Sequence, residues 1–489
     1  MQEERLIETV RAKLGDADQW VLVVGDLMLD RYFIGEVERI SPEAPVPVIL
    51  VKQQNERAGG AANVAANLAQ LGVTTRLAGC VGNDAEARSL LQLVNDMGIA
   101  TGGVLQSAHR PTTTKTRMMG GHQQMLRLDQ ESRAPFNADE IAKLEALVMQ
   151  QLAARPALVI LSDYAKGVLS AAFCNACISE ARKRNIPVLV DPKGHDYSKY
   201  RDATGLTPNK RETAEACRVD ASDNTALIQA ASELRKSLGL EFFAVTRGEE
   251  GISVISDDHT LHIPATAKQV FDVSGAGDTV IATVAAGLIG GLDTQEAFHL
   301  ANIAAGVVVG KVGTVPITQG DLLQALLTQE SAVQADKICD LAALQARVQR
   351  WREHGERIVF TNGCFDLLHA GHVTYLEAAR KTGDRLVLGL NTDRSVSALK
   401  GPTRPVVHEL DRARVLAALE AVDAVILFDD DTPLALIEAI RPDVLAKGSD
   451  YNENEVVGGP EVKSWGGRVA LIPIVPGRST SGIIEKLAS

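Results

Sequence analysis

The chain reads as an α/β protein of two domains, each built on a parallel sheet with helices on both faces. Short apolar runs alternate with longer helical patterns throughout: VLVV at 21–24, LVIL at 158–161, VLV at 188–190, FFAV at 242–245, IVF at 358–360, LVL at 386–388 and VIL at 425–427. These runs lack polar alternation, as strands covered on both faces require. With 489 residues the chain exceeds one core, and its strand rhythm lapses once, near 328–357, into a polar helix-forming stretch. The expected organisation is therefore a doubly wound domain over 1–332, a linker over 333–356 and a compact five-strand domain over 357–489. Polar residues that follow each strand then gather along the carboxyl edge of its sheet, where active sites are expected.

Composition narrows the partners. Fifty basic against sixty-two acidic side chains leave a net charge of −12, which argues against nucleic acid and anionic membranes, since both reward an excess of Lys and Arg. Hydrophobic residues at 45% and charged residues at 23% are ordinary globular values. Six scattered cysteines make no disulfide framework, and the opening MQEER lacks the basic-then-apolar order of a secretory signal, so a reducing cytoplasm is expected. The longest apolar stretch, about 280–292, is broken by glycines and falls short of the roughly 18 residues that span a bilayer.

In the first block, DVSGAGDT at 272–279 precedes a small-residue helical run. Gly275, Ala276 and Gly277 would bring bare backbone N–H groups to a helix N-terminus, an anion cradle in which Asp278 could take a proton from an attacking hydroxyl. Alone, G-x-G-D reads first as a helix N-cap after a glycine turn. Its company changes that reading. GDLMLD at 25–30, GGAAN at 59–63, NKRE at 209–212 and TRGEEG at 246–251 stand in the same order as motifs of the ribokinase-like, phosphofructokinase B type sugar kinases, which this block resembles over nearly all its length.

That resemblance implies an Mg²⁺- and ATP-dependent sugar kinase. It implies Asp278 as general base and Gly275 to Gly277 as the anion hole; Asp30, Gly59, Gly60 and Asn63 face the sugar. Asn209, Lys210, Arg211, Glu212, Thr246 and Gly248 lie on the ATP side, with Glu212 positioning magnesium through its waters. Lys115, Arg117 and Arg127 put cations on a strand-like run that would suit a sugar already carrying a phosphate, or equally a solvated basic strand. Lys193 after the 188–190 strand fits either the same clamp or solvent.

In the second block the 358–360 strand runs into TNGCFDLLHAGH at 361–372. His369 and His372, with Gly371 between them at a helix start, can both face an anion there and stabilise charge on an α-phosphate as pyrophosphate leaves. A zinc site would want a third protein ligand, and two structural histidines remain a further reading. The pattern G-x-F-D-x-x-H-x-G-H, from Gly363 and Phe365 onward, is similar to that of the nucleotidyltransferase family that includes glycerol-phosphate cytidylyltransferases. The resemblance implies a Rossmann-like fold and triphosphate contacts from Lys447 and from Ser479, Thr480 and Ser481. It further implies a nucleoside pocket near Asn391 and Asp393, and Lys400 and Arg404 are candidates for a sugar-phosphate clamp.

Two cysteine features read as packing: Cys174 and Cys177 lie in an Ala-rich helical segment, and Cys364 is a small filler beside the histidine loop. The fusion of these two domain types resembles the bifunctional heptose kinase/adenylyltransferases of lipopolysaccharide synthesis. The resemblance implies phosphorylation at O1 of heptose 7-phosphate, and adenylyl transfer from ATP to heptose 1-phosphate giving ADP-heptose and pyrophosphate. A separate phosphatase acts between the steps, so the two sites need not face one another. Its expected partners are ATP and sugar phosphates, in a homodimer. A different sugar kinase fused to a glycerol-phosphate cytidylyltransferase, and a non-catalytic sugar-phosphate sensor, are the competing readings.

Overall fold

The computed structural model describes residues 2–473 except 13, 15–18, 122, 133, 135, 258, 267–269, 312 and 354. The chain divides into two compact units, residues 1–327 and 328–489.

In the first unit the strands are β1 (Trp20–Ile40), β2 (Pro47–Gly60), β3 (Thr74–Gly82), β4 (Ala100–Ser107), β5 (Thr113–Gly120), β6 (Gln123–Gln130), β7 (Leu158–Ser162), β8 (Val188–Asp191), β9 (Gly205–Leu206), β10 (Phe242–Thr246), β11 (Ile252–Ile255) and β12 (Thr260–Ile263). The main sheet runs β12-β11-β10-β9-β8-β7-β1-β3-β4, parallel except that β11 pairs antiparallel with both β10 and β12 at one edge. Its strands carry apolar cores on both faces, one including Val21, Val23 and Leu77, the other Leu22, Val24 and Leu161. That is why these runs show no alternation.

β1 is much longer than the four-residue apolar run suggests. Trp20 to Asp26 pair with β3, and Val21 to Gly25 with β7, in the main sheet. From Leu27 onward the strand leaves that sheet and pairs with β2, and from Met28 with β5 as well, while β6 pairs with β5. These pairings make a second layer. Its register sets Asp30 opposite Lys115 and Tyr32 opposite Arg117. Main-sheet order reverses at β1, with β3 on one side and β7 on the other, so the carboxyl ends there form the crevice where α/β sheets bind ligands.

The second unit holds β13 (Ile358–Gly363), β14 (Arg385–Asn391), β15 (Ala424–Phe428), β16 (Val444–Gly448) and β17 (Arg468–Ile472), all parallel in the order β15-β14-β13-β16-β17. Order reverses at β13, which places its carboxyl end beside that of β16. The stretch 333–356, expected as a linker, contains residues that this unit uses. Cys339 donates its N–H to Val425 in the edge strand, and the helix Leu341–Glu353 buries Leu344 and Val348 against Ile358 and Phe360. The polar surface of that helix hides two core positions four residues apart, too sparse a stripe to stand out from a linker.

Leu344→Ala should therefore destabilise the second unit by about 2–5 kcal/mol, the cost of a cavity at a buried leucine. Thermal unfolding of the full chain should show the transition of the second unit moving down while that of the first stays in place.

Candidate functional site

In the first unit, residues that follow successive parallel strands meet in one cleft: Asp163 and Tyr164 after β7, Asp191 and Lys193 at β8, Thr207 and Asn209 after β9, and Thr246 at the end of β10. Gly275, Gly277, Asp278 and Glu212 complete its lining. Gly275, at φ 80°, is the N-cap of the helix Ala276–Ile289 and turns the chain into it. A Cβ at Gly275 would stand 2.9 Å from Asn63 Nδ2, whereas one at Gly277 would meet nothing within 4 Å.

Asp278 sits in the first turn of that helix and is 4% exposed. Asn63 Nδ2 donates to its Oδ2 at 2.7 Å and the Tyr164 hydroxyl donates to its Oδ1 at 2.5 Å. Burial pushes its carboxyl up to about 6, against the two donated hydrogen bonds, which favour the charged form. Asp191 is held well above the usual carboxylate range by burial and by the negative charges of Asp278 and Glu212.

Asn209 and Glu212 form a capping box for the helix Lys210–Cys217: Asn209 Oδ1 accepts from the Glu212 N–H at 2.9 Å and Glu212 Oε2 accepts from the Asn209 N–H at 3.0 Å. The remaining Glu212 oxygen pairs with Lys193 at 2.5 Å. Lys193 thus lines the cleft, with its side chain 45% exposed. Lys210 pairs with Glu250 at 2.7 Å, and Arg211 pairs with Glu215 on the helix surface, 86% exposed; neither lines the cleft. In the 246–251 loop Gly248 has φ 60°, and at Gly251 a Cβ would fall 1.9 Å from the Ile263 carbonyl.

Next to Asp278 lies a second cluster. Asp30 accepts from Arg117 at 2.7 Å and from the Thr314 hydroxyl at 3.2 Å. Lys115 stands 5.6 Å over the Tyr164 ring, and burial holds its ammonium below the usual lysine range. Arg127 stands opposite Arg117 on exposed β6, where its charge lowers Lys115 further while its guanidinium pairs with Asp129. The glycine pair has a tertiary reason: a Cβ at Gly59 would lie 2.8 Å from Asp30 Oδ2, and Gly60, at φ 58°, passes within 2.4 Å of the Asp26 carbonyl measured from its missing Cβ.

In the second unit His369 is the N-cap of the helix Ala370–Arg380, and its ring stacks on His372 with centroids 3.8 Å apart. Phe365, at φ 41°, sets its ring edge-on to His372 at 5.0 Å. Burial, then the neighbouring His369 and Lys400, push the His372 imidazole down to about 4, so it is neutral at pH 7. Lys447, at the end of β16, reaches across the crevice to Asn362 Oδ1 beside Gly363 at 2.5 Å, and burial lowers its ammonium to about 8.

Asn391 and Asp393 are engaged within the protein: Asn391 Nδ2 donates to Ser395 at 3.0 Å, and Asp393 takes the buried Arg412 guanidinium at 2.6 Å. Arg404 pairs with the buried Asp366, whose other oxygen accepts the Val406 N–H at 2.6 Å; this ties the 401–407 loop to the G-x-F-D turn. Ser479, Thr480 and Ser481 lie outside the described residues. Among the described residues no group of three or more His, Cys, Asp or Glu is placed to hold a metal. Cys174 and Cys177 are buried in the helix Ala171–Lys183, their thiols pushed up to about 12 by burial, and Cys364 is likewise raised by burial.

Sequence reasoning missed Tyr164, Asp191 and Asp26. Asp191 directly follows the 188–190 run and Tyr164 stands three residues past the 158–161 run, positions that could have flagged them, while Asp26 lies inside the 25–30 motif, from which only Asp30 was singled out.

Residues 18–319 match the pfkB family of carbohydrate kinases and residues 360–476 the cytidylyltransferase-like family. A bifunctional protein HldE of Methylobacillus flagellatus is 68% identical over 99% of this chain and 100% of its own length. One of Magnetococcus marinus is 56% identical over 96% of this chain and 97% of its own. Phosphofructokinase-2 from Escherichia coli in complex with potassium shares the fold, with a TM-score of 0.54 at 20% identity over 63% of this chain and 98% of its own. Arabidopsis thaliana ribokinase complexed with ribose and ATP has a TM-score of 0.50 at 22% identity over 63% of this chain and 98% of its own. With a carbohydrate kinase and a nucleotidyltransferase matched in succession, and relatives aligned nearly end to end, this chain belongs to the HldE family of bifunctional enzymes.

Proposed function

We propose that the two units carry out two steps of ADP-heptose synthesis: ATP-dependent phosphorylation at O1 of heptose 7-phosphate, and adenylyl transfer from ATP to heptose 1-phosphate. The observation that carries the kinase reading is the Asp278 carboxylate, buried in the first turn of a glycine-capped helix where the strand ends converge. As the C1 oxygen attacks the γ-phosphorus, its proton passes to Asp278, the bond to the β,γ-bridging oxygen breaks, and ADP leaves. The N–H groups at 275–277 face the charge that develops on the phosphoryl oxygens. Asn209, Thr246 and Gly248 line the ATP side. Asn63 orients the base, and Asp30 binds sugar hydroxyls, with Gly59 and Gly60 letting the strand carrying it pack closely. Lys115 and Arg117 take the 7-phosphate, an anion that would restore to Lys115 what burial costs its charge.

Mg²⁺ fits this cleft, because Asp191, Glu212 and Asp278 crowd three carboxyl groups around one Lys193, and a cation there would offset the repulsion that raises Asp191. Glu212 would hold the ion through its waters, and the bound ion supplies charge neutralisation on the ATP phosphates.

In the second unit the oxygen of heptose 1-phosphate attacks the α-phosphorus of ATP and pyrophosphate leaves, with no covalent enzyme intermediate. Neutral His372 with His369 donates to the α-phosphate at the helix N-terminus, and desolvated Lys447 meets the triphosphate. All six cysteines are free thiols, in keeping with a cytoplasmic enzyme, and among the described residues no helix is long and apolar enough to cross a membrane. The exposed apolar side chains of the β1/β2/β5/β6 layer, Val37, Leu50, Val51, Leu126 and Leu128, support a homodimer formed there.

Supplied in turn with heptose 7-phosphate, heptose 1-phosphate, glycerol 3-phosphate, ATP and CTP, the purified protein should turn over the two heptose phosphates with ATP; turnover only with CTP defeats the heptose reading. Asp278→Asn should lower the kinase step by about 10²–10⁴-fold and His369→Ala only the adenylyl step, each leaving the other near normal. Because the base works deprotonated, kinase kcat/KM should fall as pH drops through about 6 while remaining level above it. Sedimentation should give twice the 52.2 kDa chain mass, and Leu126→Glu with Leu128→Glu should give the single chain.

A further inference from the structure

The loop between β7 and the helix Ala171–Lys183 carries a side chain that no motif of the kinase domain includes. Tyr164 lines the cleft and its hydroxyl lies 2.5 Å from Oδ1 of Asp278, while Asn63 occupies Oδ2. Two donors on opposite oxygens stop the carboxylate from turning about its own bond, yet leave each oxygen a lone pair to receive a proton. The loop itself is fastened from beneath: buried Asp26 accepts the N–H groups of Tyr164 at 2.9 Å, Lys166 at 2.9 Å and Val168 at 3.2 Å. Asp26 is 1% exposed and belongs to β1, the strand that also carries Asp30. A chain of contacts thus runs from the sheet through a backbone clamp to the phenol and on to the base.

We propose that Tyr164 is a positioning residue of the kinase step, its hydroxyl holding the Asp278 carboxylate in the orientation that meets the sugar C1 hydroxyl. This rests on the assignment of Asp278 as the base. The charged and titratable groups around the pair are Asp30 on β1, Lys115 on β5 and Asp191 on β8. Of these, Lys115 stands over the phenol ring, and Asp30 and Asp191 add negative charge that keeps the phenol protonated and donating. Removing the hydroxyl takes away a hydrogen bond that stabilises the charged base, so the base becomes harder to ionise and less well oriented.

The test uses the full-length enzyme. Tyr164→Phe should lower kinase kcat by about tenfold to a hundredfold, with KM for both substrates within about twofold. The acid limb of kcat/KM should move up by about one pH unit, and adenylyl transfer by the same sample should be unchanged. 3,5-Difluorotyrosine at position 164 keeps the shape of the side chain while making the phenol a stronger donor. It should move the limb to lower pH, which secures the test even where Phe unsettles the fold. Unchanged kcat and an unmoved limb in both variants, with Asp278→Asn inactive, overturn the role of Tyr164 alone. Kinase activity retained in Asp278→Asn overturns the base assignment instead.

Discussion

Strand β1 belongs to two sheets, and the kinase site exists because it does. Its first seven residues sit at the switch point of the main sheet, and the next stretch climbs into a second layer beside β2 and β5. The backbones there approach too closely for side chains: a Cβ at Gly25 would lie 2.1 Å from the Ser162 carbonyl, and one at Gly79 2.5 Å from the Gly25 carbonyl. Glycines at these crossings let one strand present Asp26 to the loop after β7 and Asp30 to Arg117 and Thr314 within five residues. Without that close passage the two carboxylates, the phenol clamp and the glycine pair at 59–60 would have no common centre.

The two units handle phosphate chemistry with opposite electrostatic means. In the first, burial works on carboxylates: Asp278 and Asp191 are raised, and Lys193 and Lys115 stand beside them with incompletely matched charge. Such a cleft favours the arrival of a cation together with a polyanion. In the second, burial works on bases. His372 is held neutral and Lys447 is brought down to about 8, so both gain from a negatively charged nucleotide. Each site lies at the carboxyl ends flanking a switch point, which supplies the helix N-terminus and backbone donors before any side chain is counted.

Several residues that look chemically active from their motifs are occupied in structural work. Glu212 closes a capping box and an ion pair, Asp366 anchors the 404–407 backbone, and Asp393 holds a guanidinium that is itself buried. These engagements give the loops their shape. Arg211 and Arg127 pair with acidic neighbours four and two residues away on exposed faces, Arg127 while standing opposite Arg117.

The α/β class, the two-unit organisation and the helix starts at Gly275 and His369 were legible in the amino-acid order, because each depends on contiguous residues: an apolar run, a glycine at a positive φ, a helix N-terminus. The helix Leu341–Glu353 was legible as a helix but not as part of the second unit's core, since only Leu344 and Val348 of its surface are buried and the strands that cover them lie beyond it in the chain. Nor was the grip on Asp278, whose donors sit 215 and 114 residues away. Local backbone chemistry can announce where a phosphate binds, but which side chains converge on the reacting group depends on strand register and loop anchoring, and those exist only once distant segments have packed.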